Sequence, residues 1–142
     1  MAKINREKIK FLVGEIKQAL GNLRDYSHLG MEKVLNDSTI LGSIKYNFIV
    51  AIQSCIDICN HIIAKEQARA PEDYADCFKI LGEMGTLEKD CAERLIQMAR
   101  FRNLLVHLYW EVNNQRVYEI LQKDLDDFDL FLEKLGKYLN YL

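Results

Sequence analysis

The architecture of this chain follows from residues 40–65, which read ILGSIKYNFIVAIQSCIDICNHIIAK. Apolar side chains recur there every three or four residues, which is the spacing of one face of an α-helix. The members of this main stripe are Ile44, Phe48, Ala51, Ile52, Cys55, Cys59 and Ile62. Further aliphatic residues widen the stripe, namely Ile49, Val50, Ile56, Ile58 and Ile63. A helix that is apolar nearly all round is normally covered by its neighbours, so this segment is predicted to be the central helix of a bundle.

The segments on either side of this helix are predicted to form helices that pack against it. Residues 6–26 form a first helix with one apolar face, made of Ile9, Leu12, Ile16, Leu20 and Leu23. Residues 31–42 are predicted to form a connection that holds a short turn of helix. The last helix is predicted to run over residues 114–142 without a break, because apolar residues recur there at alternating spacings of three and four. These are Tyr118, Leu121, Leu125, Phe128, Leu132, Leu135, Leu139 and Leu142.

Two shorter helices are predicted between these long ones. Pro71 suits the first position of a third helix, in which Tyr74, Phe78 and Leu81 point inward. Thr86 is predicted to cap a fourth helix that begins at Leu87. The chain is therefore predicted to be all-α, an antiparallel bundle of about five helices. We find no internal repeat or linker, so residues 1–142 are expected to form a single domain.

Composition narrows the class of protein. The chain has 142 residues and a net charge of -2, which argues against a surface coated in positive charge for gripping nucleic acid. Its longest uninterrupted apolar run covers residues 48–52, far short of the ~20 residues that span a bilayer. Without a visible secretory signal, four cysteines predict reduced, buried thiols in a cytoplasmic protein. The spacing of Cys55, Cys59 and His61 fits no zinc pattern, so no metal and no cofactor are predicted.

Residues 100–110, RFRNLLVHLYW, gather the side chains that could carry chemistry. On a helix at about 100° per residue, Tyr109 falls about 20° to one side of Arg102, and His107 about 140° to the other. Asn103 lies four residues before His107, so its amide is predicted to orient the imidazole. An imidazole has an unperturbed pKa of about 6.5 and can move protons at neutral pH. A guanidinium can hold a phosphate through two hydrogen bonds.

A structural interpretation of the same residues stays open. An Arg, a His and a Tyr near a helix end are commonly a solvated face with one structural histidine. His28 and His61 are interpreted as structural. Three basic residues of the fourth helix are interpreted as its solvated side: Lys89, Arg94 and Arg100. An acidic run is spaced as an exposed helix face that could meet a basic partner: Asp124, Asp126, Asp127 and Asp129.

The pattern Arg102-x4-His107-x-Tyr109, with Asn103 directly after the arginine, resembles the signature of the HEPN superfamily in its HepT-like branch. The resemblance implies a helical bundle that forms a homodimer, in which two motifs line one cleft. It implies a metal-independent endoribonuclease that acts as a toxin on RNA, with no DNA substrate and no membrane. Arg102 and His107 are then catalytic, and Asn103 supports them. The basic residues of the fourth helix could then guide RNA. Tyr109 contacts the substrate and accepts AMP from a minimal nucleotidyltransferase antitoxin.

Two other functions fit the same motif. The chain could be a non-catalytic helical module that binds a partner nucleotidyltransferase or a nucleotide, or a purely structural adaptor. The first alternative predicts no ribonuclease activity in the purified protein. The second predicts that replacing His107 with alanine changes no activity at all.

Overall fold

The structure is a computed structural model that describes residues 4–140. These residues form seven α-helices, one short 3-10 helix and no strand. The α-helices are α1 (Arg6–Ser27), α2 (Met31–Leu35), α3 (Ser38–Lys65), α4 (Tyr74–Glu83), α5 (Lys89–His107), α6 (Asn114–Lys123) and α7 (Asp126–Asn140), and the 3-10 helix is Tyr109–Glu111. The all-α fold is thus confirmed, with two α-helices more than the predicted five.

The helix α3 is central, as predicted. It packs against α1, α2, α4 and α5. Every residue of its main apolar stripe is buried, and so are Ile56, Ile58 and Ile63. The ring of Phe48 meets that of Phe101 on α5 edge to face, with centroids 5.3 Å apart. The helix is long and apolar enough to cross a membrane by composition alone, but 61% of its most apolar window is buried within the bundle. That burial is what the core helix of a packed bundle requires.

The predicted last helix is interrupted, which corrects the expectation of an unbroken element. α6 ends at Lys123, and Asp124 and Leu125 lie between it and α7. The N–H groups of Asp127 and Phe128 donate to carbonyls three residues back, which tightens the chain at this point. Aspartates favour such helix ends, because their side chains compete with the backbone for hydrogen bonds. The last residue of the predicted stripe, Leu142, lies outside the described residues.

The apolar stripe continues through the interruption. Leu121, Leu125, Phe128 and Leu135 are buried, and Tyr118, Leu132 and Leu139 are half-buried.

The acidic run at residues 124–129 is only partly an exposed face, which is a second correction to the sequence prediction. Asp127 is buried and accepts a hydrogen bond from Arg94 Nη1 at 3.2 Å. Burial raises the pKa of Asp127, and the hydrogen bond from Arg94 opposes that rise. Asp126 and Asp129 stay exposed and pair with Arg24.

The predicted starts of the third and fourth helices were also wrong. α4 begins at Tyr74 rather than at Pro71, because Asp73 caps it by accepting from Asp76 N at 2.7 Å. Tyr74 is 38% exposed instead of pointing inward. Thr86 does not cap α5, which begins at Lys89.

Thr86 belongs to the end of α4 instead. Its N–H donates to Leu81 O at 3.0 Å, and Gly85 N donates to Gly82 O at 3.1 Å. Gly85 has a φ of 79°, the left-handed conformation that glycine adopts readily. These features together form a Schellman motif, which ends a helix and so delays the start of the next one.

An ion-pair network fixes the start of α4 and gives a prediction about pH. Arg69 contacts Asp76 at 2.7 Å and Glu83 at 2.9 Å, and its hydrogen bonds lower the pKa of Asp76 to about 2. A carboxyl group with a lowered pKa stabilises the fold above its unfolded pKa of about 3.9, and that contribution is lost as the pH falls towards 2. Asp76→Asn should therefore lower the free energy of unfolding at pH 7 by on the order of 1 kcal/mol.

Urea denaturation at several pH values tests this prediction. The difference between wild type and Asp76→Asn should be constant above about pH 5 and shrink below about pH 4. Asp126→Asn is the matched control, because the side chain of Asp126 is 93% exposed and its contact with Arg24 is longer, at 3.5 Å. A difference for Asp76→Asn that stays the same down to pH 3 contradicts the electrostatic explanation.

Candidate active site

The candidate site lies where α5 ends. Its last residue is His107, and Leu108 then leaves the helical conformation, with φ -129° and ψ 39°. The N–H of Leu108 still donates to Leu104 O at 3.0 Å, while that of Glu111 donates to Leu108 O at 2.8 Å. Tyr109 therefore sits on the 3-10 helix, and the predicted angle of about 20° between Tyr109 and Arg102 is wrong because it assumed a continuous helix. Tyr109 is 69% exposed.

Arg102, Asn103 and His107 come together on the last turns of α5. Arg102 Nη1 donates to Asn103 Oδ1 at 3.1 Å and lies 3.4 Å from His107 Nε2. The amide of Asn103 thus binds the guanidinium, which differs from the prediction that it orients the imidazole. The Arg102 side chain is long enough to reach His107, although the two Cα atoms lie on different sides of the helix. The nitrogen at Nη1 carries two N–H groups, so it can donate to the amide oxygen and to a neutral imidazole at the same time.

Tyr74 is a site residue that the sequence did not reveal. The guanidinium carbon of Arg102 lies 5.0 Å from the centroid of the Tyr74 ring, within the range of a cation–π contact. Arg102 Nε is buried and has no hydrogen-bond partner within residues 4–140. Tyr74 begins a different helix, so no spacing in the sequence connects it with Arg102.

A groove of ≈ 630 Å³ extends from the motif along α5. Asn103 and His107 are among the residues that line it, and most of its lining surface is apolar. Three arginines line the groove: Arg94, Arg100 and Arg116. Arg94 is occupied by ion pairs with Asp90 and Asp127, so it is less available than a free cation to bind an anion. Asp124 and Asp127 also line the groove, and Arg116 pairs with Glu119 at 3.2 Å, so the groove is a surface of mixed charge.

Large apolar side chains are exposed directly after His107. Leu108 is 40% exposed and Trp110 is 66% exposed, next to Tyr109. The rings of Tyr109 and Trp110 meet edge to face, with centroids 5.3 Å apart. Three consecutive exposed apolar residues are typical of a surface that meets another molecule. The exposed phenol of Tyr109 is accessible to a modifying enzyme.

The remaining histidines and the cysteines have structural roles. His61 Nε2 accepts a hydrogen bond from Asn5 N at 3.0 Å, and burial and nearby lysines lower its pKa. His28 caps the end of α1. The four cysteines are free and buried, as predicted, and burial raises the pKa of Cys91 to about 11. Within residues 4–140, no group of three or more His, Cys, Asp or Glu side chains is arranged to hold a metal ion.

Comparison with known proteins places this geometry in a family. A family model for HepT-like ribonucleases matches residues 16–135, which include Arg102, His107 and Tyr109. The chain belongs to the HepT-like ribonuclease family. The predicted place of the chain in the HepT-like branch of the HEPN superfamily is thereby confirmed.

Relatives of this HepT-like chain include proteins named as nucleases. It is 32% identical over 125 residues to the mRNA nuclease HepT of Shewanella oneidensis, covering 88% of each chain. It is 26% identical over 87 residues to the tRNA nuclease HepT of Aphanizomenon flos-aquae, covering 61% of this chain and 59% of that one. Among solved structures, the tri-AMPylated Shewanella oneidensis HEPN toxin in complex with MNT antitoxin matches with a TM-score of 0.85 and 27% identity. That match covers 92% of this chain and 97% of the toxin.

Proposed function

We propose that this chain is the ribonuclease toxin of a toxin–antitoxin pair, and that Arg102 and His107 cleave RNA. The observation that carries the proposal is the contact between the two side chains, 3.4 Å from Arg102 Nη1 to His107 Nε2. A cation that holds a phosphate and an imidazole that moves protons must both reach the same phosphodiester, and two groups in contact are close enough to do so. The HepT relatives named as mRNA and tRNA nucleases support RNA as the substrate.

The reaction needs little from the protein, because RNA supplies its own nucleophile. The 2′-hydroxyl oxygen attacks the adjacent phosphorus, and the bond from phosphorus to the 5′ oxygen of the next nucleotide breaks. The products are a 2′,3′-cyclic phosphate and a 5′-hydroxyl. A neutral His107 takes the proton from the 2′-hydroxyl, and Arg102 stabilises the charge that develops on the phosphate oxygens. Asn103 supports the pair by accepting from Arg102 Nη1 at 3.1 Å. DNA has no 2′-hydroxyl and is therefore not a substrate.

This chemistry predicts cleavage without a metal ion. Arg102 supplies the positive charge that Mg²⁺ provides in many nucleases. The purified protein should therefore cleave RNA at the same rate in EDTA as in Mg²⁺, measured on a labelled oligonucleotide. Activity that EDTA abolishes and Mg²⁺ restores would contradict the mechanism. A purified protein that leaves RNA intact would favour a non-catalytic module instead.

A homodimer completes the proton transfers. Each chain offers one His107, whereas the reaction needs one group to take a proton from the 2′-hydroxyl and another to give a proton to the leaving 5′ oxygen. Two motifs that face each other across a two-fold axis supply both groups. The exposed side chains of Leu108 and Trp110 lie beside the motif, and we expect the second chain of the homodimer to cover this apolar surface.

Light scattering at micromolar concentration tests this assembly. We expect twice the monomer mass for wild type, and a monomer with little activity for Trp110→Asp, because a charge opposes burial of this surface. Phe11→Asp is the matched control, since Phe11 is also 66% exposed but lies on α1. A monomeric wild type with full activity would contradict the dimer.

Neutralisation acts through Tyr109. A nucleotidyltransferase antitoxin transfers AMP from ATP to this residue: the phenol oxygen bonds to the α-phosphorus, and pyrophosphate leaves. AMP on Tyr109 adds bulk and negative charge beside His107, where an RNA phosphate must bind. The tri-AMPylated toxin bound to its antitoxin supports this role, as does the 69% exposure of Tyr109. Free thiols and an RNA substrate fit a cytoplasmic location.

A further inference from the structure

The side chain of Arg102 has a contact that its own helix does not provide. Its hydrogen bonds run from Nη1 to Asn103 Oδ1 and towards His107 Nε2, both on α5. The ring of Tyr74, at the start of α4, lies 5.0 Å from the guanidinium carbon. Arg102 Nε is buried without a hydrogen-bond partner among the described residues, so no hydrogen bond at that atom fixes the direction of the side chain.

The backbone of Tyr74 is firmly held. Asp73 caps α4 at this point, and Cys77 Sγ donates to Tyr74 O at 2.8 Å. Arg69 ties the first turn of α4 to its last through Asp76 and Glu83. The buried side chain of Cys77 anchors the same turn in the core. The backbone that carries the Tyr74 ring is therefore held in place, and the ring offers the guanidinium of Arg102 a contact from a second helix.

We propose that Tyr74 is a positioning residue for RNA cleavage, whose ring supports the guanidinium of Arg102 beside His107. This inference rests on the proposed function of Arg102. A flexible arginine has many conformations, and a ring against one side of its guanidinium removes most of them before the substrate arrives. The N–H groups of Arg102 then meet the phosphate without a further loss of conformational freedom. An aromatic ring is needed for this role, whereas the phenol oxygen of Tyr74 is not.

Kinetics of Tyr74→Leu and Tyr74→Phe test the proposal. We expect Tyr74→Leu to lower kcat by roughly 5- to 30-fold. At 1.36 kcal/mol per tenfold, this change corresponds to about 1–2 kcal/mol, which is the size of a cation–π contact. KM should change little, because the support matters most when charge develops in the transition state. Tyr74→Phe keeps the ring and should retain the wild-type kcat. Tyr46→Leu is the matched control, since Tyr46 is an exposed tyrosine on α3, whose other face forms the core.

A double-mutant cycle separates positioning from a general effect on the fold. In an Arg102→Lys background, which loses the planar guanidinium, Tyr74→Leu should cause no further fall in kcat. Tyr74→Met provides a second variant without a ring, and near-ultraviolet circular dichroism must show that both variants are folded.

Four outcomes overturn the positioning role: a wild-type kcat in Tyr74→Leu, an equal loss in Tyr74→Phe, an undiminished effect of Tyr74→Leu without Arg102, or loss of the folded spectrum in both ringless variants. If the wild-type protein shows no cleavage that depends on His107, the proposed function itself fails. The two failures are thus distinguishable.

Discussion

Replacing His107 with alanine should lower the rate of RNA cleavage by about 10²–10⁴-fold, the contribution typical of a side chain that transfers protons in the transition state. Alanine has no group that can take a proton from the 2′-hydroxyl. The free energy of unfolding should change by no more than ~0.5 kcal/mol, because His107 is exposed and its loss leaves no cavity. Single-turnover cleavage and urea denaturation of the same preparation measure the two quantities.

Variants of Arg102 provide the companion test, and a variant of His61 provides the control. Arg102→Lys keeps the charge but loses the fork that binds two phosphate oxygens, so it should be impaired like Arg102→Ala. His61→Ala should cleave RNA like wild type, since the His61 side chain accepts a hydrogen bond from Asn5 N, which is outside the motif. Retention of wild-type activity by His107→Ala would remove the catalytic role. A loss of activity that parallels a loss of stability would make His107 a structural residue.

Replacing Tyr109 with phenylalanine should abolish adenylylation by the antitoxin. Phenylalanine keeps the ring and its edge-to-face contact with Trp110, whose centroid lies 5.3 Å away, but it lacks the oxygen that accepts AMP. The protein should remain folded, because the Tyr109 side chain is largely in solvent. RNA cleavage by Tyr109→Phe should then continue in the presence of the nucleotidyltransferase and ATP, under conditions that silence wild type.

Intact-protein mass spectrometry measures this effect directly. Wild type and His107→Ala should each gain one or more masses of AMP after incubation with the nucleotidyltransferase and ATP, and Tyr109→Phe should gain none. Tyr118→Phe is the control, because the Tyr118 hydroxyl donates to Leu29 O at 3.0 Å and is half-buried. Equal labelling of Tyr109→Phe would place the acceptor elsewhere, with Tyr118 the next tyrosine along the chain.

The helices that the sequence predicted well are those in which local periodicity and burial agree. In α3, hydrophobicity alone identified the buried stripe, and in α1 all five predicted inward residues are buried. The break between α6 and α7 was missed because both helices bury the same stripe, so the spacing of Leu121, Leu125 and Phe128 carries no sign of it. The Schellman motif at Gly85 similarly shifted the start of α5 away from Thr86.

The candidate site, like the fold, could be predicted from the sequence only in part. Arg102, Asn103 and His107 lie within six residues on one helix, so the sequence places them on the same turns of α5. The contact of Arg102 with His107 does not follow from it, because the two residues are about 140° apart on the helix and meet only through the long arginine side chain. The end of α5 at His107 does not follow from the sequence either, because neither glycine nor proline marks Leu108. Tyr74 meets Arg102 only through the packing of α4 on α5, and such long-range contacts leave no local pattern. The pairing of Arg94 with the buried Asp127 was missed for the same reason.

The central claim is that RNA supplies the nucleophile and that the Arg102–His107 pair supplies only charge and proton transfer. The most direct measurement compares an RNA oligonucleotide with the same oligonucleotide carrying a 2′-deoxy nucleotide at the mapped cleavage position, both in EDTA. We predict that wild type cuts the RNA to leave a 2′,3′-cyclic phosphate, and that the deoxy linkage stays intact although the oligonucleotide still binds. Cleavage of the deoxy linkage at the rate of the RNA, or products that never carry a cyclic phosphate, would contradict this account.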